Sequence, residues 1–503
     1  MITRILEIFS SRKSTATRPV HDWNWARLWE TCIIPNGLPL LLGLVLGLLL
    51  SFLIVDEAPW PFLVALPLLV PLAILFINYP FIAVIVWLLL TPFFASSPTA
   101  AGRYVYWIAH RGMIPVAVGV VVLSRMLKAK EHHAARLGPP ELMIGISMGL
   151  VLASLFLLQP DRNRSLIWFY DRMFIPYCMY LLVRITTPRR RGMQVLLVAA
   201  FLMGVSQSVI GLLSWFAPQA LPSQWLGFQG VRTTGTLRQP GPYTAALVFS
   251  IALLFHAAMN RKPGLVRSVF LSAFSLGGIG VFLSLSRGSW LGGILVAVGL
   301  LMLFPRPMFR MAIILFVVIS LLGSGALSNP MAVAAQRMGK QNTVQSRVAV
   351  ADAAFAMIKL KPLFGWGYGN LERYIRPFLR RLGGNISIVN ADMSSHNTYL
   401  TIAAETGLIG FVAYIFPFVW WLRLTVKVLP RMRRKGLWSR SLLIVLWLIV
   451  LNHVVVSNFI DMRHFAFALT LWWMTLGLIA DMVFPYMEPG DTGVPRWARQ
   501  ATR

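Results

Sequence analysis

Apolar runs of roughly 17 to 25 residues recur along this chain from Ile33 nearly to its end, separated by short polar loops. A run of that length crosses the hydrocarbon of a bilayer as an α-helix, because each backbone N–H and C=O is then bonded within its own segment. The 503-residue chain is 57% hydrophobic with a mean hydropathy of +0.69, and 13% of it is charged. That is about half the charged share of a soluble domain. The sequence therefore predicts an all-α fold, a polytopic membrane helix bundle of about 14 transmembrane helices with one long extracytoplasmic loop.

The spans read as roughly 33–54, 61–77, 79–96, 104–125, 141–159, 165–184, 194–216, 242–259, 265–285, 288–304, 309–328, 397–422, 441–458 and 465–485. Lys and Arg in the loops set their direction. Arg12, Lys13, Lys128, Lys130, Arg189 to Arg191, Arg261, Lys262, Arg306, Arg310 and the cluster Arg431 to Lys435 all fall on one side, the cytoplasm. The expected organisation is a basic cytoplasmic tail (1–32), transmembrane helices 1–11 (33–328), an extracytoplasmic cap loop (329–396), transmembrane helices 12–14 (397–485) and a second cytoplasmic tail (486–503). Within the cap, small and apolar residues follow Gln345-Ser346-Arg347 at helical spacing. Pro362 to Asn370 reads as a Gly/aromatic turn.

The net charge of +29 is spread over short loops rather than gathered on one face of a soluble domain, which argues against nucleic acid. Cys32 and Cys178 lie on distant spans and imply neither a disulfide framework nor a zinc site. No strand leads into a phosphate-binding glycine loop, and no acidic pair suits a metal-bound nucleotide sugar.

Polar groups at span ends are where function is to be sought, because they are expensive there. Ser395-His396-Asn397-Thr398-Tyr399-Leu400, running on to Glu405-Thr406-Gly407 and Gly410, closes the cap and opens a span. Arg232 and Arg238 precede Pro240-Gly241-Pro242. Arg287 lies in the turn Ser286-Arg287-Gly288, and Arg347 lies in the cap. By the topology all are extracytoplasmic, the side that loop charge disfavours for arginine. A lone interfacial arginine most often snorkels to lipid headgroups; several converging ones suit phosphate, which a planar guanidinium grips with paired hydrogen bonds. His110/Arg111, Asp171/Arg172 and the group Asp461, Arg463 and His464 mark either internal ion pairs or a pathway.

The His-Asn-x-Tyr-Leu…Glu-x-Gly-x-x-Gly run resembles the signature of the O-antigen ligase and O-antigen polymerase family. Ser286-Arg287-Gly288, Arg232…Gly235-Thr236 and Pro362-Leu363-x-Gly365-x-Gly367 match it in the same order. The resemblance covers about 190–485; where the family usually has Asn-Pro-Asn, this chain has Gln239-Pro240-Gly241. The resemblance implies a GT-C-like bundle in a bacterial inner membrane, its site on the outer face. It also implies inverting transfer of a saccharide from polyprenyl diphosphate to a glycan, lipid or protein hydroxyl, with no metal and no cofactor. Arg232 and Arg287 would hold the diphosphate, and His396 would orient or deprotonate the acceptor hydroxyl. Tyr399, Asn397, Arg238, Arg347 and Ser286 would contact substrate, while Glu405 and Asp461 would order the site from behind. The alternatives are a transporter of lipid-linked glycan and a non-catalytic assembly partner. Against the first, the polar residues gather at one face rather than along a path, with no inverted repeat.

Overall fold

The computed structural model describes residues 74–95, 97–127, 137–158, 162–186, 190–227, 232–323, 342–381, 396–434 and 436–487, with three positions between 332 and 335. Among them regular structure is helical throughout. The helices are α1 (Ile82–Phe94), α2 (Ala100–Ser124), α3 (Pro139–Leu158), α4 (Ser165–Thr186), α5 (Gly192–Phe216), α6 (Pro240–Met259), α7 (Leu265–Leu283), α8 (Arg287–Leu303), α9 (Pro305–Gly323), α10 (Asn342–Leu360), α11 (Thr398–Val428), α12 (Arg440–Val456) and α13 (Ala466–Val483). Eight of these, α2 to α7 with α11 and α13, are long and apolar enough to cross a membrane; α1, α8 and α12 are shorter apolar helices. The expected span 33–54 and most of 61–77 lie outside the described residues, as do the first tail and residues 488–503 of the second.

Two helices form the centre. Over its most apolar stretch each of α6 and α13 is 94% buried, against 22% for α3 and 33% for α7. A helix apolar on every side belongs inside a bundle, and one exposed on a broad stripe faces lipid. Helix α4 packs on α13, α5 and α7 pack on α6, and α12 touches both central helices while carrying α8 on its back. Because lipid is as apolar as leucine, close packing rather than the hydrophobic effect holds such helices together. Glycines supply the closeness: a Cβ at Gly280 would lie 2.7 Å from the Tyr243 hydroxyl, and Gly292 and Gly299 face Asn452 and Leu448 of α12 directly. Around Trp473 the rings of Tyr177, Tyr414 and Phe418 pack mostly edge-on.

The intramembrane charges resolve into a pair. Each sits on a short π-helical turn, Trp107–Gly112 inside α2 and Tyr170–Phe174 inside α4. The widened turns bring Arg111 against Asp171, its Nε and Nη2 donating to the two carboxylate oxygens at 2.7 and 2.6 Å. Asp171 is thus bound to a different helix from its sequence neighbour Arg172.

Helix α11 is broken. Gly407 has φ +68° and ψ −175°, so the helical ladder is interrupted there. Non-helical backbone at membrane depth survives only where protein satisfies it. Here the 362–367 loop does so reciprocally. Leu408 N donates to the Pro362 carbonyl at 2.7 Å, while Trp366 N and Gly367 N donate to the carbonyls of Ala404 and Glu405 at 3.0 and 2.8 Å. The two glycine motifs of the sequence are one object, a backbone clasp. A Cβ at Gly407 would collide with the Leu363 carbonyl, and one at Gly365 would meet the Glu405 carbonyl. Gly407→Ala is therefore expected to destabilise by more than about 3 kcal/mol, combining backbone strain with overpacking against main chain. Gly119→Ala, where a Cβ meets nothing within 4 Å, should be within about 0.5 kcal/mol of wild type. Thermal unfolding of the detergent-purified variants compares the two, and equal melting temperatures would refute the clasp.

Candidate functional site

Three chain segments meet at one end of the bundle around the turn 457–465, which joins α12 to α13, and a fourth lies within the field of one of them. The first is the start of α11. Thr398 N donates to the Ser457 carbonyl at 2.9 Å, and the Thr398 hydroxyl links the Ile460 carbonyl and Met462 N. The Asn397 amide oxygen caps the helix by accepting from Tyr399 N and Leu400 N at 2.9 and 3.1 Å, and its nitrogen reaches Asn458 at 3.4 Å. That accounts for an Asn after the histidine: it is the N-cap that fixes where His396 leaves the helix. The Tyr399 hydroxyl turns to the Val454 carbonyl of α12 at 3.4 Å.

The second segment is the Ser286-Arg287 turn. Gly288 abuts Phe459, whose ring carbons would lie 2.7 Å from any added Cβ. Ser286 is the N-cap of α8, yet no side chain caps that helix. The third is the 232–239 loop. Thr236 N donates to Gln207 Oε1 of α5 at 3.0 Å, and the Thr236 hydroxyl donates to the Pro92 carbonyl of α1 at 2.7 Å. Gly235, at φ +52°, makes the turn that drives this loop into the bundle. Thr233 N then donates to the Leu283 carbonyl at 3.2 Å, which seats Arg232 beside the end of α7 that leads to Arg287. Gly241, at the start of α6, packs on Ile460 and Val456, and the Thr244 hydroxyl donates to Ser289 of α8 at 2.7 Å.

The fourth segment is α10 of the cap. Burial and then the charge of Arg287 push the Arg347 guanidinium below its usual value, which places the two arginines within each other's field. Arg347 Nε is buried with no hydrogen-bond partner among the described residues. Arg238 is exposed, Arg287 is exposed, and Arg232 and His396 are half-buried.

Backbone strain marks the same place. Among the described residues three non-glycine positions have positive φ: Arg238 (59°), Leu285 (48°) and His396 (50°). Such conformations cost on the order of 1–3 kcal/mol each and persist where surrounding structure imposes them, commonly at functional sites. One is the histidine itself, one the second arginine of its loop, and the third lies two residues before Arg287.

Behind the turn stands a buried ionic hub that the sequence only hinted at. Arg463 Nη1 donates to Glu405 Oε2 at 2.8 Å and Nη2 to Asp461 Oδ2 at 2.8 Å; Nε adds a bond of 3.1 Å to Asp461 Oδ1. All three side chains are at most 5% exposed. Burial pushes the Asp461 carboxyl up, but the Arg463 guanidinium and its hydrogen bonds, helped by His464, hold it well below the usual range. Burial would lower Arg463; the two carboxylates more than reverse that. Glu405 also accepts from Leu371 N at 3.3 Å, tying the cap to the hub. Arg463 was legible only as one member of a polar triplet. Its partner Glu405 lies 58 residues away, beyond any spacing argument.

Helices α6, α8, α11 and α13 all begin at this end, so their positive dipole ends converge with the arginines. Such an arrangement suits an anion. Among the described residues no group of three or more His, Cys, Asp or Glu side chains is placed to hold a metal.

A multi-pass membrane helix bundle with clustered arginines, a strained histidine and helix N-termini at one face is the class of protein that fold and site define. Residues 270–415 match the family model described as O-antigen ligase, and over that segment the chain carries an O-antigen ligase family domain. The match runs from α7 into α11 and includes Arg287, Arg347, the clasp and His396; Arg232, Arg238 and Arg463 lie outside it. No curated protein matches the chain.

Proposed function

We propose that this chain is an inverting glycosyltransferase of the ligase or polymerase type, working on the extracytoplasmic face of the membrane. It moves a saccharide from polyprenyl diphosphate to the hydroxyl of a glycan, lipid or protein acceptor. The observation that carries the reading is the meeting of the Arg232, Arg287 and His396 segments around the 457–460 turn, with Arg347 of the cap within the field of Arg287.

The arginines and helix N-termini hold the diphosphate. His396, neutral, takes the proton of the acceptor hydroxyl as that oxygen attacks the anomeric carbon. The bond from that carbon to the diphosphate oxygen breaks on the opposite face, and the electron pair leaves with the diphosphate. The charge growing there is met by guanidinium groups already in place. The proton passes from the imidazole to solvent or to the departing diphosphate.

The test uses purified protein, polyprenyl-diphosphate oligosaccharide and candidate acceptors, without added metal or nucleotide. Release of lipid diphosphate together with a glycosylated acceptor supports the reading, a ladder of products indicating a polymerase and a single transfer a ligase. Movement of intact lipid-linked glycan across vesicle membranes, with no release, would replace it with a transporter.

A further inference from the structure

We propose that the clasp loop of the cap, residues 360–364, is sunk in lipid, with Leu360, Leu363 and Phe364 among the acyl chains at the edge of the hydrocarbon. The partner of this surface is the bilayer. The inference rests on the membrane-spanning bundle alone and stands or falls apart from the glycan-transfer reading. It moves part of the segment 329–396, expected to lie outside the membrane, into it.

The loop holds out side chains that water disfavours. Leu360, Leu363 and Phe364 are 61%, 57% and 62% exposed, three large apolar groups within one short stretch. The backbone beneath them is fixed at every step. Lys361 N donates to the Met357 carbonyl and Gly365 N to the Lys361 carbonyl, both at 3.2 Å. The carbonyls of Pro362 and Leu363 accept from Leu408 N and Ile409 N of α11 at 2.7 and 3.4 Å. A contiguous apolar patch held rigidly outward marks a surface for a membrane or a protein.

Helix α11 decides which. From Thr398 to Gly407 every residue of it is buried or half-buried. Beyond the break, Leu408, Val412, Val419 and Val426 form an exposed apolar stripe, joined near its far end by exposed Arg423 and Lys427. An apolar stripe that ends in basic residues is the lipid-facing side of a spanning helix. The stretch from Leu408 to Lys427 is about 29 Å of helix, close to the ~30 Å of hydrocarbon in a bilayer. The break at Gly407 therefore stands at one edge of the hydrocarbon. The loop bonded to Leu408 and Ile409 stands there too, and its apolar side chains continue the stripe. Charge agrees with that depth. Lys359 and Lys361 are exposed on either side of Leu360, and the Lys361 ammonium lies 4.3 Å from the centre of the Trp366 ring. Lysine and tryptophan belong at headgroup level, where one end of the side chain is apolar and the other wet. Because Trp366 N and Gly367 N carry the same loop to the carbonyls of Ala404 and Glu405, the anchor fixes how far the His396 end of α11 stands from the hydrocarbon.

Nitroxide labels test this on the full chain in phospholipid vesicles, in a background free of other thiols (Cys32→Ala, Cys178→Ala). Leu363→Cys and Phe364→Cys each carry one label. Both side chains are exposed and the clasp is made of main-chain bonds, so the label leaves it intact. Val412→Cys on the lipid-facing stripe and Gln219→Cys in the exposed loop after α5 are the references. Collisions with oxygen, which concentrates among acyl chains, are compared with collisions with a water-soluble nickel chelate. The expected oxygen-to-nickel ratio at 363 and 364 is close to that of Val412→Cys and well above that of Gln219→Cys. A ratio nearer to that of Gln219→Cys at either position, while Val412→Cys still reads lipid and so reports a folded bundle, would overturn the anchor. The patch would then be left to a protein partner.

Discussion

In His396→Ala, release of lipid diphosphate is expected to fall about 10²–10⁴-fold, the range over which a positioned general base contributes. The loss should appear in kcat with KM little changed, because the imidazole acts on a proton that moves only in the transition state. Arg287→Ala should cost about 10²–10³-fold, comparable with removing one preorganised donor from a developing oxyanion. Arg287→Lys distinguishes geometry from charge: the ammonium keeps the charge but cannot form the paired planar contact, so it should recover only part of the loss. Binding of polyprenyl diphosphate without its sugar separates the two roles further. It should weaken in Arg287→Ala and survive in His396→Ala, since the proposed mechanism gives the histidine to the acceptor. Full turnover in His396→Ala would remove that residue as the base, and unchanged diphosphate binding in Arg287→Ala would remove the arginine as its holder.

The bundle was legible because its signal is local. A span reveals itself by length and hydropathy alone, and α2 to α8 begin and end within a few residues of the expected limits. The arginines and His396 were legible for a related reason: polar residues at span ends stand out against an apolar background. What pairs with what was not legible. Asp171 reaches Arg111 through two π-helical turns that no periodicity announces. The Gly365 and Gly407 motifs looked like two features and are one clasp, because backbone hydrogen bonds between distant segments leave no trace in side-chain pattern. Asn397, expected to touch substrate, has its amide oxygen engaged in capping α11. Arg463 left its role open: with Asp461 and His464 it read as either an internal ion pair or a pathway, and the bond to Glu405 of another helix, which no spacing announces, makes it the ion pair.

That arginine carries the largest expected effect on stability. Glu405 and Asp461 are both nearly fully buried, and Arg463 is the cation bonded to each. Removing one partner of a buried pair costs about 3–5 kcal/mol, because the charge left behind has lost both water and its counter-ion. Arg463→Met leaves two such carboxylates 56 residues apart in sequence and adjacent in space, so it should destabilise more than Asp461→Asn, which leaves Arg463 its bond to Glu405. The triple variant Arg463→Met, Glu405→Gln, Asp461→Asn carries no stranded charge and should regain much of the loss, as replaced buried ion networks do. Thermal unfolding in detergent orders the four proteins, and a triple variant no better than Arg463→Met would show that packing rather than charge holds the turn. The pH dependence follows from Asp461, whose carboxyl is held below its usual value. A depressed acid contributes stability that is fully present above the unfolded value of about 3.9 and is lost as pH falls through the lower folded value. The gap in stability between wild type and Asp461→Asn should therefore be constant near neutrality and close only in strong acid, below about pH 4. Because the same turn carries Asn458 to Asn397 and Phe459 to Gly288, Arg463→Met should also lose turnover at temperatures where it remains folded, by about the hundredfold that an ångström of misplacement costs.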